Sequence, residues 1–464
     1  MPRLSRPSLL TLLAASTIGL AGCADNGASP VVPDDVPARV YGTDAVDRHL
    51  VLLSGGAVPA DFAARVASLG GRVDFSHPSG VAIVSGLSDG AAALLRTQGG
   101  ISDIQRDGTF QVDVAGQNEP VAADAEGASP TAPATALLYP RQWHLRAVGA
   151  DRAWAAGRLG SADVTVAILD SGIDYTHPDL AGLVDLSRSV SFVPSDDRVL
   201  AQRFPGAHPV ADLRYHGTHV AATVSSNAAI AAGMTSRVRL MGVKVLAMNN
   251  FGTFSAFIQG VLHAVDNGAD VINMSLGGVF SKDEYGRYVG YINKVFNEAN
   301  RKGVTVVVSA GNGSRDFDHD GNAYSSFCGT PNVLCVSATA PTGAAGVNGP
   351  FYEVDARAPY SNYGRSAISV AAPGGNQQTV WAACSRFSLS RPGCQTGAYA
   401  LGLSGTSMST PHVTGLAALL VEELGRNPAQ IRARIQQSAD DLGAPGKDPF
   451  YGSGRINVPR ALGL

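Results

Sequence analysis

The chain has 464 residues, enough for roughly two to four compact units. Only 16% of the residues are charged, and 35 basic against 38 acidic residues give a net charge of −3, which argues against a charged coiled coil and against a nucleic-acid partner. The 45% of hydrophobic residues and the 54 glycines indicate a globular protein with many turns.

An apolar stretch near the N-terminus predicts export. Residues 9–20 follow Arg3 and Arg6, and they are too few to cross a bilayer comfortably as a helix. The sequence 20–23, Leu-Ala-Gly-Cys, resembles the bacterial lipoprotein box, which implies a signal peptide at 1–22 and a lipid anchor on Cys23. A plain secretory signal with an incidental Cys23 is the alternative. We therefore expect an exported protein held at the cell envelope, on the outer membrane in a Gram-negative cell, or secreted.

Two segments have the composition of linkers. Residues 23–47 carry three prolines among small and acidic residues, which is typical of a flexible stalk. Residues 114–138 are rich in alanine, proline and acidic residues, and a protease could cut there.

Residues 48–113 between these linkers predict a small α+β unit with the order βαββαβ, the ferredoxin-like plan. Its strands are expected at His49–Leu53, Arg72–Phe75, Gly80–Val84 and Ile101–Val112, and its helices at Ala60–Leu69 and Ala91–Gln98. This plan alone implies no particular activity, because many unrelated functions use it.

Residues 139–464 alternate between apolar strands and helices. Strands are expected at 164–169, 243–246, 271–274, 304–308 and 368–371, and helices at 255–267, 288–301, 407–424 and 428–438. This pattern predicts an α/β fold with a doubly wound parallel sheet covered by helices on both faces. Ligands bind beyond the carboxyl ends of the strands in such sheets, so chemistry is expected there.

Three motifs carry reactive side chains at such positions. Asp170 ends the first strand, His216 stands in His-Gly-Thr-His before an apolar run, and Ser407 starts a helix within Gly-Thr-Ser-Met-Ser-Thr-Pro-His. A serine hydroxyl becomes a good nucleophile when a base removes its proton, and a carboxylate holds that base in the right tautomer. The three residue types together therefore indicate acyl transfer.

The order and flanking residues of these motifs resemble the subtilisin-like serine proteases, the subtilase family, over about 143–464. The resemblance implies a subtilisin-like fold and a serine endopeptidase with Ser407 as nucleophile, His216 as general base and Asp170 as the residue that orients it. A sedolisin-type enzyme, which pairs serine with glutamate and aspartate, is disfavoured by His216.

The same resemblance assigns an oxyanion donor and a substrate groove. Asn312, in Ser-Ala-Gly-Asn after a strand, is expected to donate to the oxyanion together with the Ser407 backbone N–H. The substrate backbone is expected to pair along two edges, whose residues are Ser275, Leu276, Gly277 and Gly278 on one side and Gly252 on the other.

Four cysteines remain once Cys23 is set aside. The separations suit local disulfides, Cys328–Cys335 and Cys384–Cys394, although four cysteines allow three pairings. A zinc site is the alternative, and the absence of a Cys-x-x-Cys spacing argues against it.

Two further groups suggest metals. His216 and His219 lack the zincin spacing and its glutamate, so we expect His219 to be structural. Asp316, Asp318 and Asp320 resemble the first half of a calcium loop, but Phe327 occupies the position of its final glutamate. A structural calcium ion and a solvated acidic loop are both open, and no cofactor is expected for the chemistry.

The resemblance also implies a role for residues 48–113. Subtilases commonly carry a small inhibitor-type propeptide that assists folding and blocks the cleft until it is cut off. We therefore expect a zymogen that cuts itself between Val112 and Tyr139, and a monomer whose partners are protein or peptide substrates and its own propeptide. The alternative function is a lipid-anchored binding protein that no longer cuts.

Overall fold

The computed structural model describes residues 47–464 except 56, 113–120, 123–131, 277–279, 320, 325–326 and 398. The predicted signal peptide, the predicted lipidation site Cys23 and nearly all of the predicted stalk lie outside the described residues, as does most of the predicted linker. Within the described part, no helix is both long and apolar enough to cross a membrane.

The first unit has the predicted order of elements, and its sheet order is β2-β3-β1-β4 with every pair antiparallel. The strands are β1 (Arg48–Leu53), β2 (Arg72–His77), β3 (Val81–Ser85) and β4 (Ile101–Arg106), and the helices are α1 (Phe62–Ser68) and α2 (Asp89–Arg96). Because side chains alternate along β1, Val51 packs under the two helices while Leu50 packs against the core of the larger unit.

The predicted strand Ile101–Val112 is wrong as one element. It divides at Asp107, where the carboxylate accepts hydrogen bonds from the backbone N–H and Oγ of Ser255, at 3.0 and 2.5 Å. The chain then continues as a separate short strand that pairs with the larger unit. The second half of the apolar run is therefore an inter-unit contact.

The remaining strands lie within the larger unit or pair with it. In chain order they are β5 (Thr109–Gln111), β6 (Val121–Ala122), β7 (Thr165–Asp170), β8 (Val190–Ser191), β9 (Arg239–Lys244), β10 (Phe251–Thr253), β11 (Val271–Met274), β12 (Phe280–Ser281), β13 (Thr305–Ser309), β14 (Ala323–Tyr324), β15 (Val333–Ala340), β16 (Gly343–Ala344), β17 (Phe351–Tyr352), β18 (Ala356–Arg357), β19 (Val370–Pro373), β20 (Val380–Cys384) and β21 (Tyr399–Leu403). Eight of them form the central sheet, in the order β18-β15-β13-β11-β7-β9-β8 with β19 beside β15.

The helices of this unit are α3 (Trp143–Ala147), α4 (Ala150–Ala155), α5 (Pro194–Arg203), α6 (His216–Val224), α7 (Phe254–Asp266), α8 (Lys282–Tyr285), α9 (Tyr288–Arg301), α10 (Thr406–Leu424), α11 (Pro428–Gln437) and α12 (Val458–Ala461). Asn427 caps α11 by accepting from the Gln430 N–H, as its position before Pro428 predicts.

Helices cover both faces of the central sheet. Val166 and Ile168 of β7 share a core with α6 and α10, whereas the alternating residues Ala167 and Leu169 share a core with α7 and α9. The sheet is parallel except for β18, which runs antiparallel at its edge. The predicted architecture is therefore confirmed with one refinement, a mixed sheet.

Two predicted strands overlap the observed strands but have different ends. The predicted strand 243–246 runs past the end of β9, because Val245 and Leu246 leave the ladder and both donate to the Asp170 carbonyl. The predicted strand 368–371 starts before β19, since Ile368 instead closes a turn onto Gly364. An apolar run marks burial, and burial continues beyond the hydrogen-bonded strand.

The cysteine pairs are those that the spacing favoured. Cys328 is bonded to Cys335 of β15, and Cys384 at the end of β20 is bonded to Cys394. All four cysteines are buried.

The first unit docks on α7 and α9. The hydroxyls of Tyr288 and Tyr291 donate to the carbonyls of Arg106 and Leu50, at 2.7 and 3.0 Å, and His77 lies 3.1 Å from Asp266. The contact ends in β5, which pairs with β10 at the edge of the larger unit.

Candidate active site

The predicted acid and base lie in direct contact. Asp170 is the last residue of β7 and His216 is the first residue of α6, and both are buried. Asp170 Oδ1 accepts from His216 Nδ1 at 2.7 Å and from the Ser171 N–H at 2.7 Å. This bond leaves Nε2 as the ring nitrogen that faces away from the carboxylate. Gly217 allows the start of α6 to lie close to the backbone that follows β7, because a Cβ at position 217 would lie 2.1 Å from the Gly172 carbonyl oxygen.

Ser407 is the second residue of α10, which packs against α6. Its Oγ donates to the Ser275 carbonyl at 3.1 Å, and Ser275 Oγ donates back to the Ser407 carbonyl at 2.8 Å. His216 Nε2 is buried and has no hydrogen-bond partner among the described residues. The Ser407 hydroxyl therefore bonds to a backbone carbonyl and not to His216 Nε2.

Asn312 is fixed by the residue before the serine. Its Oδ1 accepts from the backbone N–H and Oγ1 of Thr406, at 2.9 and 3.0 Å, and Thr406 Oγ1 also accepts from the Gly311 N–H. The amide oxygen thus points to the start of α10, and the side chain lies beside Gly405. This places a side-chain amide next to the first turn of a helix, where backbone N–H groups lack intrahelical partners.

Asp212 is a second buried carboxylate that the sequence reasoning missed. Its oxygens accept from Ser171 Oγ, from the N–H groups of Arg214 and Tyr215, and from the N–H and Oγ1 of Thr218. Burial, followed by the nearby Asp170 carboxylate, raises the pKa of Asp212. Its position four residues before His216 has no recognisable pattern, so no sequence signal was available.

The predicted substrate edge at 275–278 is described only in part. Ser275 contacts Ser407 as above, and Leu276 is buried in the core that α7 and α9 share. Gly277 and Gly278 lie outside the described residues.

The opposite edge already holds a strand. Gly252 pairs with Phe110, and the Val112 N–H donates to the Asn250 carbonyl at 3.1 Å. A Cβ on Gly252 would lie 2.7 Å from the Phe110 ring, so glycine is needed for this approach. The Phe110 ring contacts Phe254 and Phe327, with centroids 5.4 and 6.2 Å away. The sequence reasoning found Gly252 and missed the aromatic pocket.

His219 lies apart from the Asp170 contact, as expected for a structural residue. Its Nε2 lies 3.1 and 3.0 Å from the carbonyls of Val380 and Leu401, and burial lowers the pKa of His219 to about 3. His144 and His412 are also buried and lie in contact, with ring nitrogens 2.8 Å apart. Burial lowers the pKa of both residues. These rings are neutral at neutral pH.

The carboxylates of the acidic loop accept hydrogen bonds from other protein groups. Asp318 accepts from the N–H groups of Arg365 and Ser366, and Asp316 accepts from the His319 ring. Asp320 lies outside the described residues. The described carboxylates thus stabilise turns. In the described ranges no three His, Cys, Asp or Glu side chains are grouped to hold a metal.

The family is established by comparison with known proteins. Residues 161–454 match the model of the subtilase family, peptidase S8. The chain belongs to this family and is a subtilisin-like serine peptidase.

Individual proteins similar to this chain support the same family assignment. The chain is 34% identical to a thermophilic serine proteinase of Bacillus sp. strain AK1, over 67% of this chain and 64% of the relative, and 32% identical to thermitase of Thermoactinomyces vulgaris, over 69% and 96%. It thus spans less than two thirds of the first relative's length. The fold also matches fervidolysin of Fervidobacterium pennivorans, a keratinolytic enzyme, with a TM-score of 0.64, 23% identity, and coverage of 90% of this chain and 61% of that one.

Proposed function

We propose that this protein is a serine endopeptidase, made as an exported zymogen, that hydrolyses peptide bonds through an acyl-enzyme formed on Ser407. The observation that carries the proposal is the buried Asp170–His216 contact at 2.7 Å, beside the helix that begins at Ser407. The family membership supports the same chemistry.

In the first step, Ser407 Oγ leaves the Ser275 carbonyl and bonds to the carbonyl carbon of the scissile peptide. His216 Nε2 takes the hydroxyl proton, and Asp170 stabilises the imidazolium through Nδ1. His216 then passes this proton to the leaving nitrogen as the C–N bond breaks. In the second half, a water oxygen bonds to the acyl carbon while His216 Nε2 takes a proton from that water. The bond between the acyl carbon and Ser407 Oγ then breaks, His216 returns the proton to Oγ, and the product leaves with a new carboxyl group.

The negative charge on the substrate oxygen is met by fixed donors. The Ser407 backbone N–H lies in the first turn of α10, and Thr406 holds the Asn312 side chain beside that turn through the amide oxygen. The Ser407 N–H and Asn312 Nδ2 are therefore the proposed donors to the oxyanion. These dipoles are set before reaction, so their reorganisation costs little in the transition state.

The groove is proposed to take an extended segment of protein or peptide substrate. β5 supplies the template, because it adds to β10 as an antiparallel strand and buries Phe110. A substrate strand in its place would present an apolar side chain to the pocket formed by Phe254 and Phe327.

Residues 48–113 are proposed to be a ferredoxin-like inhibitor-type propeptide. Its docking on α7 and α9 and the strand β5 in the groove support this role. The chain enters the groove at Thr109–Val112, so the processing cut is proposed beyond this strand, between Val112 and Tyr139. The signal at 1–22 and the lipid anchor on Cys23 are part of the proposal, and two disulfides agree with an oxidising compartment.

Two measurements on the purified chain test this function. A fluorophosphonate probe should label the processed protein at Ser407, and N-terminal sequencing should find a cut between Val112 and Tyr139. The Ser407→Ala variant, made in a host without other proteases, should stay unlabelled and unprocessed. Equal processing of both chains would contradict autoprocessing, and an unlabelled wild type would leave the binding-protein alternative.

A further inference from the structure

The loop closed by Cys384–Cys394 lies against the residues that lead into His216. We call residues 384–394 the disulfide loop and residues 212–215 the pre-histidine segment. We propose that the disulfide loop positions His216 for catalysis, so that its contacts act on turnover more than on substrate binding. This inference deepens the proposed function and rests on it.

Three consecutive carbonyls of the pre-histidine segment receive a donor from the loop. Ser385 Oγ donates to the Asp212 carbonyl at 2.6 Å, the Leu389 N–H donates to the Leu213 carbonyl at 2.8 Å, and Ser388 Oγ donates to the Arg214 carbonyl. A row of three successive bonds fixes the path of the backbone, because no single peptide unit can rotate without breaking one of them.

These three hydrogen bonds are buried from solvent. Ser385, Ser388 and both cysteines have no exposed surface, and the Leu389 side chain packs beside Leu213. A carbonyl that loses its donor there has no water to replace it, so the segment would have to move to find another partner.

The opposite flank of the pre-histidine segment is held by its own carboxylate. Asp212 accepts from the N–H groups of Arg214 and Tyr215 and, through Ser171 Oγ, reaches the residue beside Asp170. The segment is thus fixed from both sides, by Asp212 on one and by the disulfide loop on the other.

Tyr215 shows why such fixing is needed. Its φ of 154° is unusual for a residue with a side chain, and a conformation of this kind persists only when the surroundings impose it. Its ring lies near two guanidinium groups, that of Arg214 at 5.2 Å and that of Arg391 from the disulfide loop at 5.9 Å. The next residue is His216, so a change at Tyr215 would tilt the imidazole away from Asp170.

The disulfide ties the loop to the sheet. Cys384 is the last residue of β20 and pairs with Tyr399, while Cys394 lies in a short 3₁₀ helix at the far end of the loop. Closing the loop restricts its alternatives, which keeps Ser385 and Ser388 against their carbonyls. None of these contacts involves β10 or the Phe110 pocket, so substrate binding should be affected little.

The test compares buried serines that each donate to a carbonyl. The Ser385→Ala/Ser388→Ala double variant should lower kcat about tenfold or more while KM stays within about twofold, since misplacing a catalytic group slows turnover. Ser337→Ala is the matched control, because Ser337 Oγ donates to the Phe450 carbonyl at 2.6 Å in a buried site of β15. It should lower the thermal midpoint with kcat unchanged.

The cysteines provide a second comparison. Cys384→Ser/Cys394→Ser should reduce kcat, whereas Cys328→Ser/Cys335→Ser should not reduce it in this way. If the Cys384→Ser/Cys394→Ser variant processes itself more slowly at an unchanged thermal midpoint, this also counts as a loss of turnover, because the proposed processing cut uses the same catalytic residues. If the cysteine variants do not fold, the serine variants decide.

Two results would overturn the inference. One is a fall in kcat no larger than that of Ser337→Ala, and the other is a rise in KM at constant kcat. An inactive wild-type protein would contradict the proposed function itself, whereas an active wild type with unaffected loop variants would contradict only the positioning role.

Discussion

Phe110 should hold the strand β5 in the groove. Its side chain is 4% exposed and contacts two buried phenylalanines, so replacing it by alanine removes the burial of a whole aromatic ring. Such a truncation costs about 3 kcal/mol. If that loss falls on the opening of β5 from β10, the opening equilibrium rises by about 150-fold.

Hydrogen exchange of the intact Ser407→Ala chain measures this opening. Phe110→Ala should lower amide protection in residues 109–112 and 251–253 by about two orders of magnitude. Phe251→Ala is the matched control on the partner strand, because Phe251 is 40% exposed, and its effect should be under about tenfold. Equal losses in the two variants would refute the idea that the pocket anchors the strand.

Three further predictions concern the site and its surroundings. Asn312→Ala should lower kcat about 100-fold with little change in KM in steady-state assays, and an equal rise in KM would contradict its oxyanion role. Thr406→Val, which removes the hydroxyl bond to Asn312 Oδ1, should give a smaller loss of about tenfold. Burial lowers the pKa of His412 to about 4, below its value of about 6.5 in an unfolded chain. Between these values only the unfolded chain takes up the proton, so stability should fall as pH falls below 6.5. In denaturant unfolding of the Ser407→Ala chain, His412→Gln should reduce this dependence by up to about 1.4 kcal/mol per pH unit, and an unchanged slope would argue against it.

The layout of the central sheet was predictable because its strands are almost entirely apolar. Residues 165–170 are buried throughout, so periodicity and length identify a strand covered on both faces. The end of β9 was not predictable from the sequence, because Val245 and Leu246 are as apolar as the strand itself. Only their backbone hydrogen bonds to the Asp170 carbonyl distinguish them from strand residues.

The same distinction applies to the site. Asp170 and His216 were predictable because they stand in compact motifs at a strand end and a helix start. The contacts that support the site come from distant parts of the chain: Ser388 donates to the carbonyl of Arg214 near His216, and Thr406 donates to Asn312. A lone serine or aspartate has no periodic pattern, so only the folded chain shows what it touches.

Neighbouring strands of the central sheet are far apart in the sequence, and this affects how fast the protein folds. β7 pairs with β11 about a hundred residues later, and the groups from β7, α6 and α10 meet only after such long-range pairings have formed. Each of these pairings must close a long loop before its contacts stabilise it, which makes folding slow. No locally folded fragment can contain both His216 and Ser407, so hydrolytic activity should appear late and all at once. The proposed self-cleavage should therefore begin only after the chain has folded.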